Sequence, residues 1–146
     1  MPEQIRVLLV DDSVAVLHEL KTILEENTNI VIVGTASTHD EAIIAVGQQQ
    51  PDLVLLDVQV GYASGIDLCE TLRDTFPKIR ICFLTAHEDR ALLCAAIRAG
   101  AQGYLMKSYS GVEVARSIAI VAEGKAVIDP TMAQQGMSWI RDGVQD

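Results

Sequence analysis

The chain has 146 residues, 49% of them hydrophobic, a formal net charge of −9 and a pI near 4.6. That length and apolar content fit one compact domain and exclude two full ones, while the acidic balance opposes direct contact with nucleic acid, which calls for a basic face. No apolar run approaches the roughly 20 residues of a spanning helix, and charge comes too early in MPEQIRVLLVDD for a signal peptide, so a cytoplasmic protein without membrane contact is expected.

The first element is a short β-branched run, Gln4 to Val10, which reads as a buried strand and stops at Asp11 and Asp12. Ser13 can cap the helix that follows, in which Val16, Leu17, Leu20, Ile23 and Leu24 share one face. Ile30 to Val33 form a second strand, and Thr38-x-x-Glu41 has the capping-box spacing that opens a helix towards Gly47. Leu53 to Leu56 are wholly aliphatic, as a central parallel strand buried on both faces requires, and end at Asp57. Ser64 caps a helix through Phe76, Ile79 to Leu84 give a fourth strand ending at Thr85, and a helix spans about Glu88 to Gly100. Gly103 to Met106 form a fifth strand before Lys107, and Ser110-x-x-Glu113 opens a last helix that Gly124 terminates.

Strand and helix alternate throughout, which specifies an α/β, doubly wound parallel sheet with helices on both faces, joined by right-handed crossovers. We place the domain at residues 4–125 and a tail at 126–146. The three cysteines, Cys69, Cys82 and Cys94, are widely spaced among apolar neighbours and read as reduced core thiols.

Parallel strands point their carboxyl ends the same way, so the residues just after them gather on one edge. Here these are Asp11, Asp12, Asp57, Thr85 and Lys107. Clustered carboxylates repel unless a cation neutralises them. Oxygen ligands favour Mg²⁺, or Mn²⁺, and Mg²⁺ commonly shares its sphere with a phosphate. The Thr85 hydroxyl and the Lys107 ammonium suit the remaining phosphoryl oxygens. An aspartate can act as a nucleophile towards phosphorus, and Asp57, on the central strand, is the candidate. No Gly-x-x-x-x-Gly-Lys-Ser/Thr loop occurs, so the donor is expected to be another protein rather than ATP.

The set Asp11-Asp12, Asp57, Thr85-Ala86 and Lys107 resembles the receiver domain of two-component response regulators over about Ile5 to Gly124. The stretch from Gly100 to Pro130 looks most like its NarL/LuxR-type branch. The resemblance implies a flavodoxin-like five-stranded sheet of order 2-1-3-4-5 and phosphoryl transfer from a sensor histidine kinase to Asp57. It implies Asp12 as a direct Mg²⁺ ligand, Asp11 as a ligand mainly through water, and the backbone carbonyl of Gln59 as a further ligand. By the same likeness Thr85 and Tyr104 form the switch. Gln59 and His87, each two residues past a key position, are expected to flank the phosphoryl group and set its lifetime. Val60-Gly61 stands where the family commonly has Met-Pro, and Ser108 where many members have Pro.

Three further expectations concern partners. Leu92, Leu93, Val114, Val121 and Ile120 read as an apolar face on the fourth helix, fifth strand and fifth helix, fit for a homodimer. Met132, Met137, Trp139 and Ile140 look like the start of a linker helix to a helix-turn-helix output domain that controls transcription and makes any DNA contact. A stand-alone regulator working by protein contacts is the alternative. A haloacid-dehalogenase-type phosphatase shares the aspartyl chemistry, but it needs an Asp-x-Asp where this chain has Asp11-Asp12-Ser13.

Overall fold

The computed structural model describes residues 4–60, 63–86, 89–128 and 133–134. In chain order the elements are β1 (Ile5–Val10), α1 (Val14–Leu24), β2 (Ile30–Ala36), α2 (His39–Gln49), β3 (Leu53–Leu56), α3 (Gly65–Thr75), β4 (Arg80–Thr85), α4 (Arg90–Arg98), β5 (Gly103–Met106), α5 (Gly111–Ala122) and β6 (Val127–Ile128). A two-residue antiparallel ribbon, Gln59–Val60 against Ala63–Ser64, lies between β3 and α3. The sheet is parallel throughout, in the order β2-β1-β3-β4-β5-β6. The five expected strands thus stand in the expected order. The added sixth strand pairs Val127 with Gly103 and Ile128 with Tyr104.

Because strand side chains alternate between faces, the aliphatic runs feed two separate cores. Leu8, Val10, Val54, Leu56, Ile81, Phe83 and Tyr104 face α2, α3 and α4. Val7, Leu9, Leu53, Leu55, Cys82, Leu84 and Leu105 face α1 and α5. Both faces of β3 are therefore covered, and all four of its residues are buried.

Local signals set the helix starts. Ser13, Thr38, Ser64 and Ser110 each accept a backbone N–H of their own helix through the side chain, which satisfies donors the helix cannot. Glu41 completes the cap of α2 one residue earlier than the usual box, taking the Ser37 N–H at 2.9 Å. The fourth helix begins later than expected, because Asp89 is its N-cap and accepts from Ala91 and Leu92. At the far end of α5, Gly124 takes the left-handed φ of 92° that stops the helix.

Leu93, Val114 and Val121, read from sequence as part of a surface stripe, are 4%, 3% and 0% exposed. They are consumed by the two cores, and the large apolar side chains left outside on α4 and α5 are Ile97 and Val112. No described helix is long and apolar enough to cross a membrane.

Candidate functional site

The hydrogen-bond ladder of the sheet runs one step beyond the strands and carries the expected site residues into place. The Asp11 N–H donates to Ala36 O at 3.1 Å, the Asp57 N–H to Val10 O at 3.1 Å, and the Lys107 N–H to Thr85 O at 2.7 Å. Asp11, Asp57, Thr85 and Lys107 consequently lie side by side across four neighbouring strands at their carboxyl ends.

The side chains converge. One carboxylate oxygen each from Asp11, Asp12 and Asp57 lie within 4.8 Å of one another. Lys107 reaches across β4 to join them, with Nζ 2.9 Å from Asp11 Oδ2 and 3.3 Å from Asp57 Oδ2. Asp11 is buried and its other oxygen accepts the Ser13 N–H at 2.9 Å, so the residue that caps α1 also fixes this carboxylate. Asp12 is exposed and Asp57 is half-buried, open to a small ligand. Thr85 is fully buried at the end of β4.

Burial is the strongest influence on Asp57 and pushes its carboxyl above the usual aspartate value; the negative charge of Asp11 adds to this, against the ammonium of Lys107 and a hydrogen bond from the Gln59 backbone N–H. For Lys107 burial pulls the other way, but the hydrogen bond to Asp11 and the two nearby carboxylates outweigh it and hold the ammonium charged beyond its ordinary range. Among the described residues, a partly dry pocket therefore contains three carboxylates and one ammonium, a surplus of negative charge.

Such a pocket fits a hard divalent cation. All donors are oxygen, and their spacing agrees with the roughly 4.2 Å that separates opposite ligands of an ion bound at about 2.1 Å. Asp11, Asp12 and Asp57 are the residues able to hold it, with the Gln59 main chain beside Asp57.

Among the other expected residues, Gln59 sits in the ribbon opposite Ser64 with its side chain exposed. Tyr104 is 1% exposed and lies against Phe83, ring centroids 6.4 Å apart; burial, with Asp89 adding to it, pushes its phenol up to about 12. His87, and Met132, Met137, Trp139 and Ile140, lie outside the described residues.

Sequence reasoning missed two features. One is the bond from Lys107 to Asp11, since the lysine was assigned to a ligand rather than to a resident carboxylate. The other is Gly65, whose amide donates to Val58 O at 2.7 Å beside the acceptor candidate. Its sequence neighbour Ser64 signalled only a helix start.

Comparison with known proteins identifies the family and the fold. Residues 7–119 match the profile of the response regulator receiver domain. The chain is 33% identical over 141 residues to the DNA-binding transcriptional activator DevR/DosR of Mycobacterium tuberculosis, covering 97% of this chain and 65% of that protein. It is 36% identical over 121 residues to the transcriptional regulatory protein MctR of Rhizobium johnstonii, covering 83% and 56%. The chain thus spans less than two thirds of these relatives. Among solved structures, a LuxR-family two-component response regulator from Aurantimonas sp. SI85-9A1 superposes with a TM-score of 0.86 at 28% identity, covering 90% of this chain and 94% of that one. The signal receiver domain of the putative response regulator NarL from Mycobacterium tuberculosis gives 0.80 at 25%, covering 85% and 100%. The chain belongs to the response regulator receiver domain family, as a receiver of the NarL/LuxR type.

Proposed function

We propose that Asp57 is the phosphoacceptor and that the edge around it catalyses its own phosphorylation. The observation that carries this is the Lys107 ammonium shared by Asp11 and Asp57 in a pocket that still holds excess negative charge. An Asp57 oxygen bonds to phosphorus as the phosphorus–nitrogen bond of a kinase phosphohistidine breaks, and the departing imidazole takes its proton from solvent. Lys107 pairs with a phosphoryl oxygen and the Thr85 hydroxyl donates to another. Asp11, Asp12, Asp57 and the Gln59 carbonyl would hold Mg²⁺ or Mn²⁺, which when bound neutralises charge on the transferring group. Gln59 and His87 govern how soon water removes the phosphoryl group.

The same reading makes Thr85 and Tyr104 the switch. Tyr104 already lies inside the core, so phosphorylation acts by holding this packing in place rather than by driving the ring inward from solvent. The surface of α4, β5 and α5 is the output, and a homodimer through it would use Ile97 and Val112 more than the buried stripe. The relatives named as transcriptional regulators support a transcriptional output. With a net charge of −9, this unit leaves DNA contact to a helix-turn-helix domain.

Incubation with acetyl phosphate and Mg²⁺ followed by intact-mass measurement should show one added phosphoryl group. The Asp57→Asn protein should show none, and an equal gain in that variant would refute the assignment.

A further inference from the structure

The structure assigns to Gly65 a role in phosphoryl transfer: it is a positioning residue whose missing side chain lets α3 press against the backbone of the acceptor itself. This inference rests on Asp57 being the acceptor. A Cβ at position 65 would lie 2.0 Å from the carbonyl oxygen of Asp57, 2.8 Å from the carbonyl carbon of Val58 and 2.9 Å from its Cα. Real Cβ atoms essentially never come closer than 3.0 Å, so the first of these contacts alone demands a shift of about 1 Å. All three obstacles are main chain, and no flexible side chain can swing aside.

Neither partner is free to move. The helix is held by Leu68, Cys69 and Leu72, each 0% exposed in the core. On the other side, the Asp57 N–H is tied to Val10 O, and the Gly65 N–H is bonded to Val58 O at 2.7 Å. The segment between them is closed by the pairing of Gln59 with Ser64 and by the Ser64 hydroxyl, which accepts from Ile66 and Asp67. The contact of α3 with residues 57 and 58 therefore sets where the Asp57 carboxylate points. It also sets where the Gln59 main chain stands, whose N–H bonds that carboxylate. Glycine is needed here for space, because its φ lies outside the left-handed range.

Displacement of reacting groups by about 1 Å can cost on the order of 100-fold in rate. The Gly65→Ala protein should therefore be phosphorylated by acetyl phosphate roughly 10- to 100-fold more slowly, and should need more Mg²⁺ for half-maximal rate, because Asp57 and Gln59 shift together. Val46→Ala, a cavity in α2, is the control: it should lower the unfolding temperature yet leave both the rate and its Mg²⁺ dependence at wild-type values. Leu68→Ala is the second variant. It keeps the glycine but loosens the anchor of α3, and should raise the Mg²⁺ requirement where Val46→Ala, at similar loss of stability, does not. In the double variant Gly65→Ala/Leu68→Ala, a helix free to retreat should recover part of the rate while stability falls further.

A Gly65→Ala protein with wild-type rate and wild-type Mg²⁺ dependence would overturn the inference. So would a Leu68→Ala protein indistinguishable from Val46→Ala, an outcome readable even if the glycine variant does not fold. Failure of the wild-type chain to take up phosphoryl would instead bring down the acceptor assignment.

Discussion

At the amino-terminal edge of the sheet, arginines end on backbone carbonyls. Arg6 donates to Gln49 O at 2.5 Å, at the end of α2; Arg80 donates to Ala122 O, at the end of α5; and Arg73 donates to Ile79 O at 2.5 Å. Each cation there meets the partial negative charge of helix-terminal or strand-leading carbonyls, a pairing complete within the protein. At the carboxyl edge, among the described residues, three carboxylates gather around the Lys107 ammonium, which pairs with two of them, Asp11 and Asp57, and Asp57 is pushed towards its neutral form. One edge is electrostatically closed, and the other is left open for a cation and an anion from outside. Substitutions at the first should change stability without changing chemistry, and at the second should change chemistry, sometimes with a gain in stability.

The largest effect is expected at the open edge. Lys107→Met removes the cation facing both Asp11 and Asp57, and should slow phosphorylation by acetyl phosphate by about 10²-fold or more. Equal rates for variant and wild type would break the contrast. At the closed edge, Arg80→Ala strips a charged donor from the end of α5 and should cost about 1.5–3 kcal/mol of stability. Its phosphorylation rate, measured beside its melting curve, should stay at the wild-type value.

Next comes a gain. Asp57→Asn relieves a half-buried, crowded charge, and in Mg²⁺-free buffer at neutral pH should melt about 2–4 °C higher than wild type. The sign follows from Asp57 having a folded-state value above its ordinary one. Protonation then favours the folded form, so this carboxyl's contribution to stability grows as pH falls through the raised value and is lost as pH rises above it. The advantage of Asn over Asp should accordingly shrink on acidification, and melting curves over a pH series would reveal an opposite trend. The smallest effect is on the nucleophile. In Mg²⁺-free buffer the Asp57 carboxyl should take up its proton at a higher pH than an exposed aspartate, as a carboxyl NMR titration would read.

What could be read in the sequence were features carried by neighbours along the chain. Ser13, Thr38, Ser64 and Ser110 mark helix starts within three residues of the donors they accept, and the aliphatic run Leu53–Leu56 declares a strand covered on both faces. The convergence of Asp11, Asp57, Thr85 and Lys107 followed because parallel strands leave only one edge for residues that trail them. The features that escaped depend on contacts across the fold. Arg80 ends on Ala122 and Lys107 on Asp11, and nothing adjacent in sequence to either cation announces its acceptor. Gly65 looked like the first residue of a helix, and only the approach of α3 to residues 57 and 58 gives it a reason to be glycine. The stripe containing Leu93, Val114 and Val121 was read as surface because periodicity reports an apolar face without saying which element covers it.

The account stands most directly on where the phosphoryl group goes. After phosphorylation with acetyl phosphate and Mg²⁺, borohydride reduces an aspartyl phosphate to homoserine, and peptide mass then locates the altered residue. Homoserine at position 57, with 11 and 12 unchanged, is the result expected; reduction at either of those positions, or an added phosphoryl group that leaves position 57 intact, would contradict it.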